Sequence, residues 1–217
     1  ILSTDIKLDP ESQEDEIIFG CGCFWGAEKC FWKLPGVVTT SVGYAGGTKK
    51  NPTYYEVCSG LTGHAEVVRV VWNTNEIDIS DLLKMFWECH NPTQKNQQGN
   101  DVGTQYRSTI YYKNESKKDI IQASKEEYQK ELNKMNLGII ETEIKMIDTY
   151  YFAEPYHQQY LAVDGSRQYC SASPTKALLG SFDGCNYKLN KEIWNNFNWD
   201  IDKCVLRSDN KPIKNNK

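Results

Sequence analysis

Hydrophobic positions alternate between strand-like runs and helical stripes over the first three quarters of the chain, then lose their period. Ile17-Ile18-Phe19 predicts a short strand. The next segment sets Phe24, Ala27, Phe31 and Leu34 on one helical face, and Pro35-Gly36 stops it. Val37 to Tyr44 reads as a β-branched strand ended by Gly46-Gly47. Residues 64–72, HAEVVRVVW, form the clearest strand: Glu66, Val68, Val70 and Trp72 share one face, and Ala65, Val67, Arg69 and Val71 the other. A helical stripe of Ile79, Leu82, Leu83, Phe86, Trp87 and His90 follows, capped by Asp78 and ended by Asn91-Pro92. A polar loop, KNQQGNDVGTQ, leads to a strand at Arg107 to Tyr112. A charged helix from Glu115 to Lys134 comes next, with Ile121, Tyr128, Leu132 and Met135 on one face, and then an alternating strand from Glu141 to Ile147.

After Tyr160 the period fails. Residues 1–14 read as a disordered lead, 15–163 as one folded domain, and 164–217 as a C-terminal coil rich in Gly, Ser, Pro, Asn and Lys with a frayed tail. Strands alternating with helices predict an α+β fold, an α/β sandwich whose mixed β-sheet is covered by helices, with a long irregular C-terminal arm.

Charge narrows the function. A net charge of -4 leaves no surplus of Lys and Arg for nucleic acid or an anionic membrane. No apolar run approaches the roughly 20 residues that cross a bilayer. The polar, acidic opening ILSTDIKLDPESQEDE has neither the signal-peptide nor the transit-peptide pattern, so a cytoplasmic location is expected. The chain does not begin with Met, which leaves room for a removed segment and a mitochondrial or other compartment.

Eight cysteines, at 21, 23, 30, 58, 89, 170, 185 and 204, change the picture. A chain of 217 residues needs no staples, and their spacing is scattered, so a reducing compartment in which some thiols do chemistry is the better reading than a disulfide scaffold. Cys23 follows a strand and opens a helix, where the positive helix end should lower its pKa. A buried cysteine in an aromatic core fits the same position. Cys21 finds no second ligand pair for zinc, and a Cys21–Cys23 disulfide fits strand geometry poorly; Cys21 is read as a small core residue. Cys30, Cys58 and Cys89, on helical segments, are read as packing residues. Glu66 shares its face with two valines and a tryptophan; drawn inward, its carboxyl would stay protonated near neutrality, whereas an arginine partner or a wet strand end would leave it ordinary. Tyr54, Tyr106 and Asp101 sit in NPTYYEV and GNDVGTQYRS beside turns, where phenols make good donors.

Taken together, GCFWG at 22–26, GYAGG at 43–47, NPTYYEVCSGLTGHAE at 51–66, GNDVGTQYRS at 99–108 and AEPYHQQYL at 153–161 resemble the A-type peptide methionine sulfoxide reductase family, which reduces the S epimer of methionine sulfoxide. The resemblance covers about residues 16–161. It implies Cys23 as nucleophile, Phe24 and Trp25 as the pocket for the substrate's S-methyl group, Glu66 as proton donor to the sulfoxide oxygen, and Tyr54 and Tyr106 holding that oxygen with Asp101 nearby. It further implies Cys170, in Tyr169-Cys170, as the resolving cysteine. The following SASPTKALLGSFDG departs from the family's short glycine-rich link, which puts a second relay through Cys185 or Cys204 in doubt. No bound cofactor and no metal are expected; the implied reductant is thioredoxin, fed by NADPH through thioredoxin reductase. The implied substrates are oxidised proteins or free methionine S-sulfoxide, acted on by a monomer. Two competing readings stay open on the residues alone. One is a cysteine hydrolase or acyltransferase pairing Cys23 with His64 or His157, the other a module that binds without turnover.

Overall fold

The computed structural model describes residues 1–196 and 208–213. In chain order these contain β1 (Glu14–Cys21), α1 (Phe24–Trp32), β2 (Val37–Ala45), α2 (Tyr54–Cys58), β3 (Ala65–Asn73), α3 (Ile79–Cys89), β4 (Gln97–Gln98) and β5 (Asp101–Val102). They continue with β6 (Ser108–Tyr112), α4 (Lys118–Lys134), β7 (Glu143–Met146), β8 (Tyr150–Phe152) and α5 (Lys191–Asn196). Six strands form one mixed sheet in the order β7-β6-β1-β3-β2-β8. Its neighbours run antiparallel except β6 and β7, which are parallel. β4 and β5 pair apart from it as a small hairpin.

The period-two pattern of β3 sets the layers. Val68, Val70 and Trp72 join Ile17 and Phe19 of β1 against the apolar stripes of α1, α3 and α4 in the main core. On the other face Ala65 and Val67 meet Ile18, Tyr111 and Ile147 in a smaller cluster. Phe19 lies between Phe31 at 4.8 Å and Phe86 at 5.0 Å between ring centroids, tying strand to both covering helices. Each such side chain contributes about 1.5–3 kcal/mol by leaving water. α3 begins where Asp78 predicts: its carboxylate accepts from the Ser80 amide at 2.9 Å, while Asp81 takes the Asp78 amide at 3.2 Å.

The differences from the sequence reading are local. The helical segment expected around Cys58 is the five-residue α2, and β8 and the β4–β5 hairpin are too short to show a period. Met135 lies past the end of α4 and is exposed, not part of the packed stripe. Cys58 ends α2 on the surface rather than in packing. The arm from residue 164 onward holds no helix or strand before α5. Instead it is fastened to the helices: Tyr128 Oη to Thr175 Oγ1 at 2.7 Å, the Leu179 amide to Glu88 at 2.7 Å, and the Lys188 amide to Asp81 at 2.9 Å. Ser208–Ile213 return to α1, where Lys33 Nζ donates to Asp209 Oδ1 at 2.9 Å and Trp32 Nε1 to the Asn210 carbonyl at 3.1 Å. Cys204 lies outside the described residues. Among the described residues no helix is long and apolar enough to cross a membrane.

The turn that matters most joins β1 to α1. Gly22 adopts φ +89°, a conformation that suits glycine, and a β-carbon there would stand 2.5 Å from Gln98 Cβ. The hairpin therefore rests directly on the turn that launches Cys23 into α1.

Candidate active site

Cys23 is the N-cap of α1. With Phe24, Trp25, Tyr54, Glu66, Asp101, Tyr106, Arg167 and Tyr169 it lines a cavity of about 250 Å³. All the candidate residues of the reducing step thus share one pocket, drawn from α1, α2, β3, the hairpin and the arm. A larger cavity, about 320 Å³ between β1, β3 and the starts of α3 and α4, carries neither cysteine nor histidine.

Glu66 sits opposite Tyr44 in the β2–β3 register and is buried at 1% exposure. Its Oε2 accepts the Phe24 amide at 3.1 Å, whereas its Oε1 is buried with no partner among the described residues. Burial pushes its pKa up to about 8, and the negative charge of Asp101 adds to the rise. The acid is therefore uncharged at neutral pH. Because Oε2 is receiving a hydrogen bond, the proton belongs on Oε1, the atom with nothing to donate to until a ligand arrives.

Cys23 departs from expectation. Burial and the nearby Glu66 push its thiol well above the ordinary value. The Trp25 and Gly26 amides of the first turn pull the other way but do not win, since neither caps the sulfur with a full hydrogen bond. Desolvation beats the helix end. Tyr54 and Tyr106 are likewise pushed up by burial and by Glu66, so both phenols remain donors.

The aromatic wall is braced by residues of the AEPYHQQYL stretch. Trp25 stacks on Tyr160 at 3.9 Å and 16° between planes, and its Nε1 donates to His157 Nδ1 at 3.1 Å. His157 touches Phe24 and Tyr54 with ring centroids 5.2 and 4.5 Å away. Glu154 clamps the same corner, taking the Tyr44 hydroxyl at 2.8 Å and the Tyr54 amide at 2.9 Å.

The chain as a whole is similar to known proteins. A family model described as peptide methionine sulfoxide reductase matches residues 15–182. The chain belongs to this family. The peptide methionine sulfoxide reductase MsrA of Pseudomonas putida strain W619 is 56% identical over 78% of this chain and 76% of its own length. The solved methionine sulfoxide reductase A of Corynebacterium diphtheriae is 39% identical, with a TM-score of 0.69, covering 83% of this chain and 88% of that one. Reduced Mxr1 of Saccharomyces cerevisiae is 32% identical at TM-score 0.69, covering 81% and 97%. Mxr1 in complex with Trx2 aligns at 22% identity and TM-score 0.52, over 76% of this chain and 93% of that one, a likeness of fold.

As an A-type methionine sulfoxide reductase the chain is an oxidoreductase, and its histidines fit no hydrolase. None of the three lines the pocket. His64 Nδ1 accepts the Gly47 amide and its Nε2 faces the Lys49 carbonyl, 2.7 Å away. His157 is committed to Trp25. His90 is bound to the Phe86 carbonyl and to Ser108, both at 2.7 Å. His90 also gathers with Cys21 and Cys89, their ligand atoms within 4.8 Å of one another. With both ring nitrogens of His90 engaged, the trio closes as a bonded core cluster. Pairwise spacing in the sequence could not reveal that cluster.

Cys170 and Cys185, the arm cysteines among the described residues, are held at different helices. A β-carbon on Gly26 would stand 2.6 Å from Cys170 Sγ, so that sulfur lies against the first turns of α1, the helix that Cys23 caps. Cys185 is held elsewhere: the next amide, of Asn186, donates to Ser80 Oγ at 3.2 Å, at the start of α3. The hairpin follows the other end of that helix. The sequence reading did not single out Tyr160 or Gln98, and it named His157 and Tyr169 only in other connections; the signal available was that His157 and Tyr160 lie inside AEPYHQQYL and Gln98 beside GNDVGTQYRS.

Proposed function

We propose that this reductase removes oxygen from the S epimer of methionine sulfoxide, free or in proteins, through a sulfenic acid on Cys23 that Cys170 resolves. The substrate's S-methyl group packs against Phe24 and Trp25. Its oxygen points at Glu66 Oε1 and the Tyr54 and Tyr106 hydroxyls. The observation that supports this reading is the Glu66 carboxyl, buried, uncharged at neutrality and bonded on one oxygen only, facing the same cavity as the thiol.

A sulfoxide sulfur becomes electrophilic when its oxygen is protonated or strongly hydrogen-bonded. Glu66 gives its proton to that oxygen as the Cys23 sulfur attacks, and receives the thiol proton in return. The elevated pKa values of both groups suit this exchange: neither ionises before substrate arrives. The S–O bond of the substrate breaks, methionine leaves, and Cys23 carries the oxygen as a sulfenic acid. Cys170 then displaces that oxygen as water, forming a disulfide. An external dithiol reduces the disulfide, and we assign that role to thioredoxin, in line with the complex that Mxr1 forms with Trx2. NADPH would act only through thioredoxin reductase. The chain itself then holds no cofactor or metal and works as a monomer in a reducing compartment such as the cytoplasm.

The test is reduction of separate S and R epimers of a blocked methionine sulfoxide with dithiothreitol, by wild type and Cys23→Ser. Loss of the S epimer alone, and only with Cys23 present, is expected. Equal use of both epimers, or activity surviving in Cys23→Ser, would sink the reading.

A further inference from the structure

Cys23 and Cys170 both meet Gly26. The Gly26 amide faces the Cys23 sulfur, and Cys170 Sγ fills the space where a side chain at 26 would begin. Glycine inside a helix weakens it relative to alanine, so its presence here gains clearance at the expense of helix stability.

The neighbours of Cys170 are fastened with equal specificity. Tyr169 Oη donates to Asp101 Oδ1 at 2.5 Å, and Ser171 Oγ donates to Asp101 Oδ2. The Ser171 hydroxyl also lies 3.0 Å from the Gln98 carbonyl, and the Ser173 amide donates to Gln98 Oε1 at 3.0 Å. The backbone lies so close over the hairpin that a β-carbon on Gly99 would stand 1.8 Å from the Ser171 carbonyl oxygen. One carboxylate thus grips the residues on both sides of Cys170, and two glycines clear the ground beneath it.

We propose that Gly26, Gly99, Gln98 and Asp101 form a seat that holds Cys170 against the first turns of the nucleophile's helix before any substrate is turned over. Asp101 is then a positioning residue for the arm, not a donor or acceptor for the sulfoxide oxygen. The proposal rests on the reading of Cys170 as the resolving cysteine. In the step it serves, the Cys23 S–O bond breaks, an S–S bond to Cys170 forms, and the hydroxyl leaves with the Cys170 proton as water. Holding the two sulfurs together converts a search by a flexible coil into a local displacement.

Rapid mixing of reduced protein with one equivalent of substrate tests the seat. Methionine release, trapping of the sulfenic acid by a dimedone-type reagent, and loss of free thiols are followed in parallel. Ser171→Ala should release methionine at the wild-type rate, form the disulfide about tenfold more slowly, and give more trapped sulfenic acid, the scale of one lost hydrogen bond to a charged acceptor. Gly26→Ala should slow the same disulfide step more, because the sulfur itself is displaced, while melting at or above the wild-type temperature. Disulfide formation at the wild-type rate in both variants would overturn the seat. Disulfide formation at that rate in Cys170→Ser would instead overturn the reading of Cys170.

Discussion

The pocket and the arm that supplies its second thiol are built by different means. In the pocket, functional groups sit on or beside regular elements and are locked by buried contacts: Glu66 on β3, Cys23 and Phe24 opening α1, Trp25 pinned between Tyr160 and His157. The arm has no helix or strand between residues 164 and 190. It hangs on polar groups of the core, chiefly Asp101, Gln98, Glu88 and Asp81. Each such bond is worth about 0.5–1.5 kcal/mol net, up to about 3 for a charged acceptor. The arm can therefore let go anchor by anchor, well below the free energy of global unfolding. The contrast matches two half-reactions with different demands. Oxygen transfer needs donors fixed around one atom, whereas disulfide exchange needs a sulfur that meets Cys23 and afterwards an external dithiol.

The sharpest way to break the comparison is to remove one thiol from each region. Cys23→Ser should abolish turnover with any reductant. Cys170→Ser should release about one equivalent of methionine and then stall with thioredoxin, a result read by comparing the burst with the steady state. If Cys170→Ser cycled normally with thioredoxin, the arm would have no catalytic part.

Glu66→Gln acts on the pocket alone. It should slow oxygen transfer by about 10²–10⁴, the usual weight of a positioned acid, and leave disulfide formation untouched. Wild-type activity should fall as pH rises through about 8, where Glu66 ionises, and the variant should lose that limb. Stability carries the same signature. The folded protein keeps a proton on Glu66 up to about 8, whereas the unfolded chain loses it near 4.5. Stability from this group is thus complete below the unfolded pKa and is lost as pH rises toward 8, at about 1.4 kcal/mol per pH unit. Glu28 falls in the same direction, since burial raises it to about 7. Melting temperatures from about pH 5 to about pH 8 should therefore decline less steeply for Glu66→Gln than for wild type, without becoming flat.

These two regions were unequally legible in the sequence. Periodicity located β3 and α3 almost to the residue, because long apolar patterns report which face is buried. It also put Glu66 on the inward face of β3, the cause of its raised pKa. The same reasoning misjudged Cys23, since a helix N-terminus is visible in sequence but the degree of desolvation is not. Asp101 stood beside a turn in a motif and was expected near the substrate oxygen; that its two oxygens are taken by Tyr169 and Ser171 depends on contacts across about 70 residues. His157 and Tyr160, which brace Trp25, lie on three-residue 3-10 turns, too short to show a period. Irregular backbone hides its partners because nothing in its spacing says which way a side chain turns.

A milder variant probes how far the rigid pocket matters. His157→Phe removes the acceptor of the Trp25 indole but keeps an aromatic ring beside Phe24 and Tyr54. With about 0.5–1.5 kcal/mol lost, KM should rise severalfold and kcat should change little. A matching fall in kcat would mean that Trp25 orientation serves the transition state rather than binding.

The smallest effect is expected from Cys185→Ser. Cys185 is tied to the beginning of α3 through the Asn186, Lys188 and Leu189 amides, which donate to Ser80 and Asp81. The hairpin that seats Cys170 follows the opposite end of the same 11-residue helix, a span of roughly 16 Å at 1.5 Å per residue. For Cys185 to take over the disulfide, these anchors would have to open and the chain between residues 170 and 185 would have to fold back. A cycle with a single disulfide needs none of that. Steady-state turnover with thioredoxin should stay within about twofold of wild type, the range of ordinary surface substitutions. A tenfold loss confined to thioredoxin, with dithiothreitol-driven turnover intact, would instead make the arm a two-step relay and its looseness a requirement of the second exchange.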